Sequence, residues 1–439
     1  MYIFILLITI YLILGIISIN YPKLLLPISI CLLPLERFNI YMGFSLSPLI
    51  LYIPIILLSI FTNFKEIKKQ IKLYPINKTI IYSLLLILLA IIVTDVFAIN
   101  RFLSLKSSIY VFITVFMFIF GYLYISIYKN IKTIINSIIV SDLIVSIYGI
   151  IQFISYLFFK KDRIGLYKIL HSSTINPSYF LITIHHISIL RPDSTFTDVN
   201  TAAGYILLSL PMILTLYILN KRKKYNEYIN RYLINLSPII AIYFILTFSK
   251  SAFIGLFIII LYLIYIYKIY KNTLFKYFFT LTVILVLAIS YKINLIKYVY
   301  TKEKYSYLGH FILTKYSYYI FEKHPITGTG IGSFTYYFGT YIKPYIQYYY
   351  NNIDNPPVIL LWLSEIGLIG FIAYLNFFIN YFRDIVGSNH RKSTLRKYLE
   401  KAFIAGIIGI LIANLFHSYL TLIFNWELMG VFLGIIYII

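Results

Sequence analysis

The sequence predicts an all-helical integral membrane protein, and three observations carry that prediction. Of its 439 residues, 60% are hydrophobic and only 12% charged, whereas soluble domains run near 45–50% apolar and about 25% charged. Apolar runs recur at lengths of about 20 residues, enough for a helix to cross the hydrocarbon core. Basic residues gather in alternate connecting loops, as in multi-pass proteins oriented by positive charge.

Hydropathy places spans at 2–19, 24–35, 41–61, 79–99, 107–127, 134–158, 200–220, 232–248, 252–267, 277–291, 357–381, 402–422 and 427–439, about 12–13 helices in all. The run 24–35 is short and reads as a re-entrant or broken piece. The opening run lacks a basic leader region and a small-residue cleavage site, so it is expected to be a retained helix and not a signal peptide. The whole chain, 1–439, is expected to form one polytopic domain.

Loops 62–78, 128–133, 221–231, 268–276 and 382–401 hold most of the basic residues, including Lys65, Lys68, Lys129, Lys221, Arg222, Lys271, Arg391 and Arg396. They fall on one side of the map, which makes that side cytoplasmic. The segments 159–199 and 292–356 are then long external loops. A cysteine placed at Tyr348 is expected to react with an impermeant thiol reagent in intact cells, and one at Tyr225 is not. Equal labelling, or labelling at Tyr225 alone, would reject this topology.

The net charge of +23 is accounted for by these loops and does not call for a nucleic-acid partner. The single cysteine, Cys31, excludes an intrachain disulfide and any cysteine-based metal site. Neither a metal nor another cofactor is expected.

The first external segment ends in RPDSTFTDVNTAAGY, residues 191–205. Thr197, Asp198 or Asn200 could cap the helix that follows, leaving amide groups and a positive dipole end beside Arg191. Such an end suits an anion, although an ordinary capped helix fits the same residues. Lys250, in FSKSAF, sits between two spans with almost no loop. An ammonium there either lines a cavity or snorkels to the interface.

The second external loop holds GHFILTKYSYYIFEKHPITGTGIGSF, residues 309–334. Residues 310–323 read as an amphipathic helix with His310, Thr314 and Ser317 on its polar face. His324-Pro325 stops it. Gly328, Gly330 and Gly332 make a turn that is either a surface turn or a backbone able to approach a phosphate closely. Residues 292–355 hold 14 of the 46 tyrosines, fit for a membrane interface or for stacking on sugars. Glu365, Asp95 and His417 near or within spans read as hydrogen-bonded structural groups.

Several of these pieces together resemble the O-antigen ligase and O-antigen polymerase superfamily of bacterial envelope glycan enzymes. The matching stretches, in order, are TDVFAINRFLSL, SIYGIIQF with its Gly-x-x-Gln-aromatic pattern, RPDSTFTDVNTAAGYILL, LTFSKSAFIGL, the 309–334 segment, and LLWLSEIGLIGF. They span roughly residues 80–439, with 200–381 as the ligase-like core.

The resemblance implies an all-helical, C-type membrane glycosyltransferase at the outer face of the cytoplasmic (inner) membrane. Its donor is a glycan on a polyprenyl-pyrophosphate carrier. Its acceptor is a glycan or a glycolipid such as a lipid A core sugar, as in lipopolysaccharide biosynthesis, and its ligases need no metal. A lipid-linked glycan flippase and a family member without catalysis are the competing readings.

Three positions depart from the family pattern. Lys250 stands where the family has the Arg of Ser-Arg-Gly. His310 stands where it has an Arg fourteen residues before His-Pro. The family's histidine, about nine residues before Glu365, falls on Pro356, with Asp354-Asn355 the nearest polar pair. Transfer from a pyrophosphate needs cations or helix N-termini to neutralise the growing charge, and a base for the acceptor hydroxyl. Arg191, Lys250, His310 and Lys315 are the candidates for the first role, and Asp354 for the second.

Overall fold

The computed structural model describes residues 13–35, 40–41, 45–65, 68–69, 76–159, 181–184, 187–196, 198–221, 230–266, 304–345, 355–387 and 394–439. Its helices are α1 (Ile13–Asn20), α2 (Pro22–Leu32), α3 (Pro48–Thr62), α4 (Lys78–Val96), α5 (Arg101–Tyr128), α6 (Ile131–Phe159) and α7 (Val199–Lys221), followed by α8 (Arg231–Asn235), α9 (Ser237–Leu246), α10 (Lys250–Ile266), α11 (Lys304–Lys323), α12 (Val358–Gly387), α13 (Thr394–Ala413) and α14 (Ile423–Ile438).

Five of these, α4, α5, α6, α7 and α12, are long and apolar enough to cross a bilayer singly. The pair α1–α2 bends by 117° at Tyr21, as in a broken span or a re-entrant loop, the two forms expected of the short 24–35 run. The expected span 277–291 lies outside the described residues.

The chain is thus an all-α multi-pass membrane protein with two small additions. Strands β1 (Ile40–Tyr41) and β2 (Ser45–Leu46) pair antiparallel, as do β3 (Leu181–Ile184) and β4 (Ile187–Leu190). The first hairpin takes over the start of the expected 41–61 span. The helix there begins only at Pro48, where proline suits the first turn and the Ser47 hydroxyl accepts the Ile50 N–H at 3.3 Å. The expected 232–248 span is likewise two helices, α8 and α9, meeting at Leu236 just before Ser237-Pro238.

Packing follows the helix faces. α5 lies against α14, α4 against α12, α7 and α10 against α13, and α9 against α6. Aromatic contacts tie the centre: Phe403 stacks on Phe432 at 4.1 Å, and Trp362 on Tyr374 at 4.2 Å. On α4, Leu85, Leu89, Ile92 and Val96 are exposed at helical spacing, a face suited to lipid acyl chains and not to water.

The 309–334 segment is built into the bundle. α11 ends at Lys323, and the following turn inserts against α12. α12 is broken at Gly367, whose φ of 59° and ψ of −163° are not helical. The break releases backbone groups to the turn. Leu368 N–H donates to Pro325 C=O at 2.9 Å, and Ile369 N–H to Ile326 C=O at 3.2 Å. In return, Thr329 N–H donates to Ser364 C=O at 3.0 Å and Gly330 N–H to Glu365 C=O at 2.8 Å.

Candidate active site

Four segments meet at one end of the bundle, around the loop that leads into α7. That loop is clamped from α6. The Gln152 side-chain oxygen accepts Ser194 N–H at 2.9 Å, its amide donates to Asp193 Oδ1 at 3.2 Å, and the Ser194 hydroxyl donates to Val145 C=O at 2.6 Å. Tyr243 of α9 donates its hydroxyl to Pro192 C=O at 3.0 Å. Its ring passes directly over Gly149, where an added Cβ would sit 2.0 Å from it. The Gly-x-x-Gln pattern of α6 therefore has a physical meaning. The glycine admits Tyr243, the glutamine holds the loop, and both act on the residues flanking Arg191.

Two non-glycine residues near Arg191 adopt left-handed backbone, Ser194 at φ 55° and Phe248 at φ 48°. Strain of this kind costs about 1–3 kcal/mol per residue and persists where the surroundings enforce it. Here it bends both strands of chain around one side chain. Arg191 Nε donates to Thr247 C=O at 2.9 Å, and Nη2 to Asn200 Oδ1 at 3.0 Å. Asn200 Oδ1 also accepts the Ser249 hydroxyl at 2.9 Å. Asn200 is therefore the hub that joins Arg191 to the Ser249-Lys250 corner.

Asp198 serves as the cap of α7. Its Oδ2 accepts Thr201 N–H at 2.9 Å and the Thr201 hydroxyl at 3.3 Å. Burial pushes its carboxyl up, while the Thr201 amide and the Arg191 charge pull it back toward the ionised form.

The cations converge. The charge of Arg191 acts on Lys250, at the N-terminus of α10, and on His417, in the turn after α13. His417 in turn meets His310 of α11 edge to face, with ring centroids 5.9 Å apart. Its backbone carbonyl accepts Val358 N–H at 3.0 Å, at the start of α12 and two residues beyond Pro356. His417 lies beside the cationic groups of two other segments, His310 of α11 and Arg191 of the loop before α7. These partners of His417 lie 59 or more residues away in the chain, so its local sequence does not announce them.

Arg191 is thus linked to Lys250 and to His417, and His310 to His417, while Lys315 does not join them. Lys315 is five residues beyond His310, about 140° around the helix, and its ammonium lies 5.7 Å over the Tyr316 ring. Asp354 lies outside the described residues.

The glycine turn is not a phosphate cradle, contrary to one of the two expectations for it. Its amides are already engaged: Gly328 N–H by His324 C=O at 3.0 Å, those of Thr329 and Gly330 by α12 carbonyls, and that of Phe334 by Glu365 Oε1 at 2.9 Å. Asp95 is committed too, accepting the hydroxyls of Ser104 and of Ser108, the latter at 2.6 Å.

Removing the Gln152 clamp tests the positioning argument. Gln152→Leu should cost about 1–2 kcal/mol of stability from unpaired buried groups and weaken anything that depends on Arg191 by roughly tenfold. Thermal melting in detergent and the donor KM measure the two effects, and wild-type values for both would reject the clamp.

With this geometry in place, residues 236–375 match a family model described as O-antigen ligase. Over that stretch, about a third of its length, the chain is similar to O-antigen ligases. A comparison with curated proteins gives no match. The matched stretch takes in α9, α10, α11 and the first part of α12, and with them Lys250, His310, the glycine turn and Glu365. Arg191 comes from the chain before it, and His417 from the chain after it.

Proposed function

We infer that the protein is a membrane glycosyltransferase. In this reading it ligates or polymerises a glycan delivered on polyprenyl pyrophosphate, at the outer face of the cytoplasmic membrane. The observation that carries the reading is the linkage of Arg191, Lys250, His310 and His417, from separate segments, at one end of the bundle. The similarity to O-antigen ligases supports it by indicating a ligase- or polymerase-type membrane enzyme.

The chemistry suits these residues. A pyrophosphate is already a good leaving group, so the protein has to hold it, neutralise its developing charge and aim an acceptor hydroxyl at the anomeric carbon. Arg191 and Lys250 supply cationic donors, with His310 at the rim. The N-termini of α7 and α10 add dipoles favourable to an anion. The lipid tail of the donor would run along the apolar faces between helices. The acceptor, a glycan or glycolipid, would approach from the external loops, where the tyrosines concentrate. The core of this activity is proposed to lie in 200–381, with 292–356 as an external loop.

The test is transfer in isolated membranes from a labelled glycan on polyprenyl pyrophosphate, comparing the wild-type chain with Arg191→Ala. Transfer by the wild type that collapses in the variant supports the reading. No wild-type transfer with any lipid-linked donor, or transfer indifferent to Arg191, rejects it. Movement of intact donor across the membrane without transfer would point to a flippase.

A further inference from the structure

Resting on the glycosyltransferase reading, we propose that Asn200 binds the lipid-linked substrate, its side-chain N–H groups donating to a phosphate oxygen of the pyrophosphate beside Arg191. The backbone that carries Asn200 is fixed. Asn200 is the second residue of α7. The Asp198 carboxylate accepts Thr201 N–H at 2.9 Å and also engages the Asn200 backbone amide, and Ala202 N–H donates to Asp198 C=O at 3.1 Å. Val199 and Ala202, flanking it, are buried. The side chain of Asn200 therefore leaves a capped and anchored first turn.

Hydrogen-bond polarity decides which way the amide faces. A guanidinium only donates. The Asn200 atom 3.0 Å from Arg191 Nη2 is therefore the oxygen and not the nitrogen. The same oxygen accepts the Ser249 hydroxyl at 2.9 Å. Both lone pairs of Oδ1 are thus used, by donors from two separate segments. Nδ2 lies on the other arm of the planar amide and turns away from both. It has no hydrogen-bond partner among the described residues, and Asn200 is only half-buried.

Bracing alone does not call for an amide. A strut between Arg191 and Ser249 needs only an acceptor, and a carboxylate of the same size would be a stronger one. The neutral oxygen of Asn200 holds the guanidinium without cancelling its charge, and the other arm adds two N–H donors beside it. That combination favours an anion.

The position of the amide fits the same ligand. Ser249, which Asn200 holds, directly precedes Lys250 at the start of α10. The charge of Arg191 reaches Lys250 across this corner. Asn200 therefore sits where the segments of the two cations meet. A pyrophosphate has more oxygen lone pairs than one guanidinium and one ammonium can fill. Uncharged N–H groups complete the set without adding repulsion between the cations, and they hold the leaving pyrophosphate more strongly as its charge develops.

The experiment measures binding of polyprenyl pyrophosphate, without a glycan, to the full chain in lipid nanodiscs, for the wild type and Asn200→Asp. Each is measured at low salt and at about 0.5 M salt, where the screening length falls to roughly 4 Å. Asp keeps the size of the side chain and an oxygen for Arg191 and Ser249, and it removes the N–H groups. The expected result is a Kd raised about tenfold to a hundredfold at both salt concentrations, with the melting temperature within about 5 °C of wild type. A Kd near wild type would overturn the assignment, because Asn200 would then be a strut. A loss that disappears at high salt would overturn it too, since the carboxylate would then act on the phosphates from a distance. So would a loss accompanied by a larger fall in melting temperature, which would trace it to a disturbed first turn of α7. In all three cases the wild type still binds polyprenyl pyrophosphate, and the transferase reading stands. A wild type that does not bind it would overturn both.

Discussion

Replacing Arg191 with Ala should lower glycan transfer about a thousandfold, and replacing it with Lys should restore only part of the loss. Removing one preorganised donor at a developing negative charge costs about a hundred- to a thousandfold in rate. Arg191 does more than present charge. Its Nε and Nη2 hold Thr247 C=O and Asn200 Oδ1, and Asn200 in turn holds the Ser249 hydroxyl beside Lys250. Truncation to Ala removes one cation and loosens the mount of a second. A lysine keeps the charge, but a single ammonium cannot reproduce the planar fork that binds two acceptors and faces a phosphate together. The order wild type, Lys, Ala is therefore expected in kcat/KM for the lipid-linked donor, with the Lys variant roughly tenfold to a hundredfold below wild type. The measurement is steady-state transfer in membranes at matched protein levels. An Ala variant within tenfold of wild type would show that Arg191 is a structural strut and not part of the donor site.

Much of this site was legible in the sequence as a series of positions and very little of it as a geometry. Arg191 stands out because it precedes a capped helix start, and Lys250 because a lysine between two spans with no loop around it has to be accounted for. His310 stands out through its spacing from His324-Pro325. What joins them could not be read. Asn200 looks like one of three capping candidates, and only the fold shows that Asp198 takes the cap and frees Asn200 to bridge Arg191 and Ser249. Gln152 looks like one polar residue on a spanning helix, and its hold on Ser194 is a contact across 42 positions.

The two hairpins were hidden for another reason. When nearly every residue is apolar, the alternation that marks a strand disappears, and short runs such as Ile187–Leu190 cannot be told from helix. The same uniformity hid the break in α12, since the stretch around Glu365 reads as one continuous span.

That break leads to the prediction with the largest effect on folding: Gly367→Ala should prevent accumulation of well-folded protein or lower its apparent melting temperature by about 5 °C or more. At φ 59° and ψ −163°, Gly367 occupies a region of backbone space that is essentially restricted to glycine. Space forbids a side chain as well. An added Cβ would lie 2.3 Å from the Ile326 carbonyl oxygen and 2.7 Å from Gly328 N, both backbone atoms that cannot swing aside. Gly328 faces the same junction from the other side, where a Cβ would lie 2.3 Å from the Glu365 carbonyl. Either substitution forces apart the four backbone hydrogen bonds that lock the 324–333 turn into α12. It would also free the Glu365 carboxylate from the Phe334 amide, leaving a charged or unpaired group inside the bundle. Gly387→Ala is the control. It lies on the same helix with nothing within 4 Å of a new Cβ, so helix propensity alone predicts a neutral or slightly stabilising change. Melting followed by size-exclusion in detergent compares the two. If Gly367→Ala melts like Gly387→Ala, the turn is not interlocked with α12.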